Sequence, residues 1–132
     1  MIVEKKEVPG CRGTRVQELF AGRDVQVLLV EVDPAGEIPI HVHDCAATMV
    51  IVEGEARALG THERVVGKGD VVVKAPREPH GFSGIGKRFS FVSVSDGRGI
   101  MHNDDWDLEY TGAAGEKAEP EVHTRQRQST NG

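Results

Sequence analysis

Two histidines separated by one residue are the first feature of this sequence that could do chemistry. His41 and His43 stand just after Pro39 in a segment with the composition of a β-strand. Side chains in a strand alternate between its two faces, so both imidazoles are expected on the same face. Two imidazole nitrogens on one face can chelate a transition metal. The pair alone also fits two exposed histidines on a strand.

Four other histidines are scattered along the chain: His62, His80, His102 and His123. His62 lies in a polar turn and is expected to be solvated, and His123 lies near the end of the chain. His102 belongs to an acidic stretch after the last predicted strand. That stretch is either a surface loop anchored by Trp106 or a cover for one mouth of a barrel.

The composition excludes several classes of protein. A length of 132 residues predicts one domain. The net charge of −5 and the pI near 5.7 argue against nucleic acid as a partner, because phosphate binding needs clustered Lys and Arg. We find no apolar run approaching the ~18 residues of a membrane span and no signal peptide, so a cytoplasmic protein is expected.

The element pattern predicts an all-β fold. Gly and Pro interrupt the first 110 residues often, and no segment has the periodicity of an amphipathic helix. Many short strands with frequent turns indicate a sandwich or a barrel. The predicted strands are Thr14–Phe20, Asp24–Asp33, Ile38–His43, Ala46–Glu53, Glu55–Leu59, Asp70–Lys74, His80–Ser83 and Lys87–Ser95.

The chain divides once, into a barrel domain over residues 1–110 and a flexible tail over residues 111–132. The tail is rich in Gly, Glu, Gln and Thr, and Val122 is its only large apolar residue. Such a composition cannot bury enough apolar surface to offset the entropy of ordering.

Two blocks of the sequence resemble the paired motifs of the cupin superfamily, in its small single-domain, conserved-barrel type. The first block runs from Gly36 through the His-x-His pair to Gly54, and the second runs from Gly69 to Phe82. The match covers roughly residues 25–95. The resemblance implies a double-stranded β-helix, or jelly-roll barrel, in which His41, His43 and His80 bind one metal ion.

One departure from the cupin pattern bears on the chemistry. The family's fourth ligand, usually Glu, falls on Ala47, four residues after His43 and seven before Gly54. Three neutral ligands would leave the metal its full 2+ charge and two or three open positions. The resemblance implies a divalent transition metal; we favour iron, and zinc, copper, manganese and nickel stay open.

These features predict a metal-binding cupin, with an iron(II) dioxygenase acting on a small organic substrate as the first hypothesis. Iron(II) on three histidines has room for substrate and O₂ together, as in 2-His-1-carboxylate oxygenases. Within the cupins, three-histidine iron sites occur in thiol dioxygenases and in an enzyme that cleaves β-diketones. The alternatives are a non-catalytic metal-binding or small-ligand sensing protein and a Lewis-acid isomerase or hydratase.

Four other side chains are candidates for the same pocket. Met49, Phe82 and Phe91 are expected to line it and to contact the substrate. Cys45 is either an accessory soft ligand, which would favour zinc or copper, or a small buried apolar residue. With Cys11 it makes two cysteines, too few for a disulfide scaffold.

A homodimer is expected, since a small barrel has sheet edges and an apolar face to cover. Val3, Val8 and Val16 suggest an N-terminal strand that pairs across a two-fold axis.

Overall fold

The computed structural model describes residues 1–111, and within them every regular element is a β-strand. No helix long and apolar enough to cross a membrane occurs in this part of the chain. The all-β prediction is therefore confirmed, whereas the predicted tail lies outside the described residues from position 112 onward. The strands are β1 (Lys6–Glu7), β2 (Arg12–Ala21), β3 (Val25–Val42), β4 (Ala47–Glu53), β5 (Glu55–Gly60), β6 (Arg64–Gly67), β7 (Val71–Lys74), β8 (His80–Gly84), β9 (Phe89–Asp96), β10 (Met101–His102), β11 (Asp105–Trp106) and β12 (Glu109–Tyr110).

The long strand β3 organises the barrel. The main sheet runs β6-β5-β8-β3-β9-β4-β7, and β2 and β12 also pair with β3. The first part of β3 pairs with β9 from Val25 to Val32, and its last part pairs with β8 from Glu37 to His41. The strand thus leaves one half of the curled sheet and enters the other.

The sequence predicted two strands, separated at Pro34-Ala35-Gly36, where the structure has one. The chain changes its pairing partner from β9 to β8 at this point but stays extended, because β2 pairs with β3 on both sides of it. The backbones of β8 and β3 approach closely here: a Cβ on Gly84 would lie 2.4 Å from the carbonyl oxygen of Pro34. Pro34, Ala35 and Gly36 therefore mark the point where β3 changes its pairing partner, not the end of a strand.

The core follows the two-residue alternation of the strands. Leu28, Val30 and Val32 face inward from β3 and are at most 7% exposed. Three phenylalanines, Phe82, Phe89 and Phe91, pack with ring centroids 5.0–5.6 Å apart, a spacing typical of favourable aromatic pairs.

Two of the three N-terminal valines, Val8 and Val16, contribute to the core of the barrel. Strand β1 pairs with β2 of the same chain, Val16 is 2% exposed within the core, and Val8 packs against that core. Val16 is therefore part of the core of its own chain, and Val8 is partly buried against that core. Pairing of the N-terminal strand across a two-fold axis stays a prediction.

A different surface suits the predicted homodimer. The outer face of β4, β7 and β9 exposes Val52, Val71, Val73 and Val94, each by 38–67%. Contiguous apolar surface of this kind marks interaction sites. We expect a dimer in sedimentation equilibrium at micromolar concentration, and Val73→Asp should shift it to monomer. The control is Val65→Asp on β6, which should stay dimeric; a wild-type monomer of 14.3 kDa would contradict the prediction.

Candidate metal centre

Two strands bring the three candidate histidines together. His41 lies near the end of β3, His43 directly follows that strand, and His80 begins β8, where it is the register partner of His41. The ring centroids lie 4.3–4.9 Å apart, and one donor atom of each residue lies within 4.8 Å of the others. All three side chains are buried, with 4–5% exposed. The cluster could hold one metal ion.

Backbone carbonyls fix the same tautomer on all three rings. Each Nδ1 lies at hydrogen-bond distance from a carbonyl oxygen and therefore carries the proton, since a carbonyl can only accept. The acceptors are Pro39 O at 2.8 Å from His41, Asp107 O at 2.5 Å from His43 and Glu78 O at 2.9 Å from His80. Each Nε2 is consequently unprotonated, which is the state that binds a metal.

A metal ion resolves a conflict inside the cluster. Nε2 of His41 and Nε2 of His43 lie 3.1 Å apart, and with both Nδ1 atoms protonated the two lone pairs face each other. Two nitrogens bound to one Zn²⁺ at ~2.0–2.1 Å, with an angle of roughly 90–110°, would lie about 2.9–3.4 Å apart. The observed separation fits a shared cation, and the residues present fit a metal.

Burial keeps the imidazoles neutral. Desolvation is the largest cause that lowers the pKa of His41 to about 3, followed by the charge of His43. Desolvation also lowers the pKa of His43 and holds that of His80 well below its usual range. A metal therefore meets little competition from protons at neutral pH.

The same pKa shifts predict acid sensitivity of the metal-free protein. The unfolded chain protonates these histidines near pH 6.5, whereas the folded chain resists protonation. Stability is therefore full above pH 6.5 and falls as the pH drops from 6.5 towards 3, by up to about 1.4 kcal/mol per pH unit per histidine. Urea unfolding at several pH values measures this slope. His80→Gln should flatten it and His62→Ala should not; an equal slope in His80→Gln contradicts the assignment.

A small apolar cavity of about 60 Å³ adjoins the cluster. Its wall includes Ala47, 3% exposed at the position where the sequence lacks the fourth ligand, and the predicted Met49, Phe82 and Phe91. Among the described lining residues none is Asp, Glu, Lys or Arg. The space suits a few water molecules or one small ligand group.

Sequence reasoning missed a second set of residues at this cavity. The Cys11 side chain lines it, and Cys11 Sγ lies 3.4 Å from the hydroxyl of Tyr110. The Tyr110 ring lies 5.9 Å from that of His41. Cys11 and Tyr110 are 99 positions apart, so no local pattern joins them.

The acidic stretch after β9, residues 99–108, covers the cavity, and we call it the cover. Ile100, Trp106 and Leu108 line it, so the second of the two interpretations left open by the sequence describes this segment. His102 in the same stretch is exposed, as is His62. His123 lies outside the described residues.

Cys45 lies apart from the three histidines. It lines a larger polar groove of about 540 Å³ together with Arg77 and Arg98, and it is absent from the wall of the apolar cavity. Desolvation is the main cause that raises the pKa of its thiol to about 12. The bend of the chain after His43 breaks the strand alternation that would have turned Cys45 inward, so the structure does not bring this predicted accessory ligand to the cluster.

Comparison with protein families agrees with this geometry. The cupin domain model matches residues 28–95, which is more than half of the chain. The chain belongs to the cupin family. The matched segment contains all three histidines and Ala47, whereas the segment that covers the cavity lies beyond it.

Solved cupin structures share the fold. The polyketide cyclase RemF from Streptomyces resistomycificus is 24% identical, with a TM-score of 0.67 over 78% of this chain and 83% of that one. A protein with a double-stranded β-helix domain from Klebsiella pneumoniae is 25% identical, with a TM-score of 0.63 over 78% and 88%. An oxalate decarboxylase variant from B. subtilis is 16% identical, with a TM-score of 0.69 over 82% of this chain but 30% of that one. A comparison with curated protein sequences finds no match.

Proposed function

We propose that this cupin is a metal-dependent enzyme, an iron(II) dioxygenase that acts on a small organic substrate. The observation that carries the proposal is the convergence of three unprotonated Nε2 atoms beside a cavity wall without charged residues among those described. His41, His43 and His80 would hold the metal. Bound Fe(II) would supply coordination positions for substrate and O₂ together.

The cavity wall supports a small and largely apolar substrate. Met49, Phe82 and Phe91 would contact its apolar body, and the volume of about 60 Å³ limits the group that fits beside the histidines. Ala47 keeps the fourth position free of a protein ligand. A substrate oxygen or sulfur anion would find its compensating charge at the metal, because the described wall contributes no cationic side chain.

The same wall favours oxygenation over proton transfer. A general base must titrate near neutral pH and lie within hydrogen-bond reach of the substrate. Among residues 1–111 the lining includes no carboxylate or amine, and the three imidazoles would be committed to the metal and to backbone carbonyls. A dioxygenase moves both atoms of O₂ into the substrate. A substrate that binds as its anion would already have released its proton to the solvent, so the oxygenation itself asks for no base on the wall.

One observation favours a second candidate, a Lewis-acid isomerase or hydratase. Burial raises the pKa values of both Cys11 and Tyr110, so the pair stays protonated at neutral pH. The tyrosine hydroxyl donates to the carbonyl of Pro9, and the thiol lies beside that hydroxyl on the cavity wall. Because the hydroxyl proton is engaged by Pro9 and only Cys11 lines the cavity, the thiol is the group that could give a proton to a strongly basic atom of a bound substrate.

Oxygen uptake separates the candidates. The tag-free protein is loaded with Fe(II) under anaerobic conditions, mixed with small β-diketones or small thiols, and exposed to ¹⁸O₂. We expect one O₂ consumed per substrate and two labelled oxygen atoms in the products, with no uptake by His80→Ala. Conversion without O₂ uptake would favour the Lewis-acid reaction, and binding of these probes without turnover would favour a sensing protein; either result contradicts the dioxygenase.

A further inference from the structure

Asp107 of the cover is hydrogen-bonded to all three residues that directly follow β3, His43, Asp44 and Cys45, which we call the ligand loop. The carboxylate of Asp107 accepts the backbone N–H of Asp44 at 2.8 and 2.9 Å and that of Cys45 at 3.2 Å. The carbonyl oxygen of the same residue accepts the Nδ1–H of His43 at 2.5 Å. Three consecutive residues after β3 are thus bound to one residue more than 60 positions away.

His43 differs from the other two histidines in this respect. The Nδ1 acceptors of His41 and His80 are carbonyls two residues earlier in their own segments. These bonds form wherever the local chain is ordered. The acceptor of His43 is Asp107 in the cover, so the orientation of the His43 ring depends on the position of that segment.

We propose that Asp107 is a positioning residue that couples the cover of the cavity to the orientation of His43. The inference rests on the proposed metal site and assigns a role to a residue beyond the segment that the cupin family model matches. The ionised carboxylate makes charge-assisted hydrogen bonds to two backbone donors, and these hold its own carbonyl where His43 needs an acceptor. Partners of this kind fix the tautomer and ring direction of a metal ligand.

Arg77 makes further contacts to the ligand loop and to Glu109, which follows the cover. Its guanidinium contacts Asp44 Oδ1 at 3.1 Å and Glu109 Oε1 at 2.8 Å, and its backbone N–H donates to the carbonyl of His43 at 2.7 Å. The ligand loop and the cover are therefore bridged by side chains on both sides of Asp107. A shift of Trp106 and Leu108 away from the cavity would pull the carbonyl of Asp107 away from His43.

The test separates positioning from general stability. Asp107→Ala removes the carboxylate, and Asp107→Asn keeps a neutral acceptor. The control is Asp70→Ala, which removes a similar bond, from the backbone N–H of Gly67 at 2.8 Å, outside the residues that line the cavity. Zn²⁺ affinity is measured by chelator competition on each full-length variant, together with the thermal midpoint.

We expect Asp107→Ala to weaken Zn²⁺ binding about 10- to 100-fold, the usual effect of losing such a partner. Asp107→Asn should fall between Asp107→Ala and wild type, since a neutral acceptor makes weaker bonds. Asp70→Ala should lower the thermal midpoint and leave affinity unchanged. If Asp107→Ala does not fold, Asp107→Asn decides alone.

Wild-type affinity in Asp107→Asn, or in a folded Asp107→Ala, overturns the inference. So does an equal loss of affinity in Asp70→Ala. A wild-type protein that binds no Zn²⁺ would instead refute the metal site itself. A wild type that binds Zn²⁺ but oxidises nothing would leave the role of Asp107 standing while the proposed oxygenase fails.

Discussion

Replacing His80 with alanine is expected to abolish stoichiometric metal binding at neutral pH. His80 supplies one of three converging donor nitrogens, and only two would remain, both from β3 and its end. Loss of a direct ligand should cost more than the about 10- to 100-fold that follows loss of a hydrogen-bond partner to a ligand. Metal content by plasma mass spectrometry after dialysis measures the effect.

The matched control for this variant is His62→Ala. His62 is exposed and lies outside the cluster, so its replacement should leave one metal per chain. Circular dichroism should show that His80→Ala keeps its strands, because the metal-free barrel retains its aliphatic and phenylalanine core. Full metal in a folded His80→Ala would place the binding site elsewhere in the protein.

The second large effect is expected from Ala47→Glu. The side chain of Ala47 is buried on the wall that it shares with the three histidines, so a carboxylate there would face the same cavity. A negative ligand offsets the 2+ charge and fills an open position, so metal affinity should rise by at least about tenfold while oxygenase turnover falls. Chelator competition and oxygen uptake measure the two changes.

Ala47→Gln is the control, because it adds similar volume without the charge. It should raise affinity less than Ala47→Glu and should reveal any cost of filling the cavity. Equal affinities of wild type and Ala47→Glu, with both proteins folded, would show that position 47 does not face the metal. That result would contradict the placement of Ala47 beside the metal, but it would leave the ligand role of the three histidines standing.

The alternation of apolar residues and the spacing of Gly and Pro were enough to predict an all-β chain. They failed at Pro34-Ala35-Gly36, because turn residues also serve where a strand changes partners, and a single sequence does not show which strands are neighbours. They also missed β6, since Arg64 and the exposed Val65 give no alternation to detect. The burial of Val16 inside the barrel was not predictable either, because it depends on β3 and on strands far along the chain.

The site residues could be predicted where they lie close together in the sequence or belong to a known motif. The two-residue period placed His41 and His43 on one face, and the motif resemblance added His80. Asp107 and Cys11 reach the site by contacts that span 64 and 99 positions, to His43 and to Tyr110 respectively. Cys45 shows the opposite failure: strand alternation suggested an inward thiol, but the chain bends after His43.

X-ray absorption spectroscopy of the tag-free, zinc-loaded protein tests the central claim most directly. Our account predicts one metal per chain with three imidazole nitrogens at about 2.0–2.1 Å, and one or more oxygen ligands from water or a small anion in the open positions. A sulfur shell near 2.3 Å would show that Cys11 or Cys45 is a ligand. Either that shell or fewer than three imidazoles would contradict the three-histidine centre.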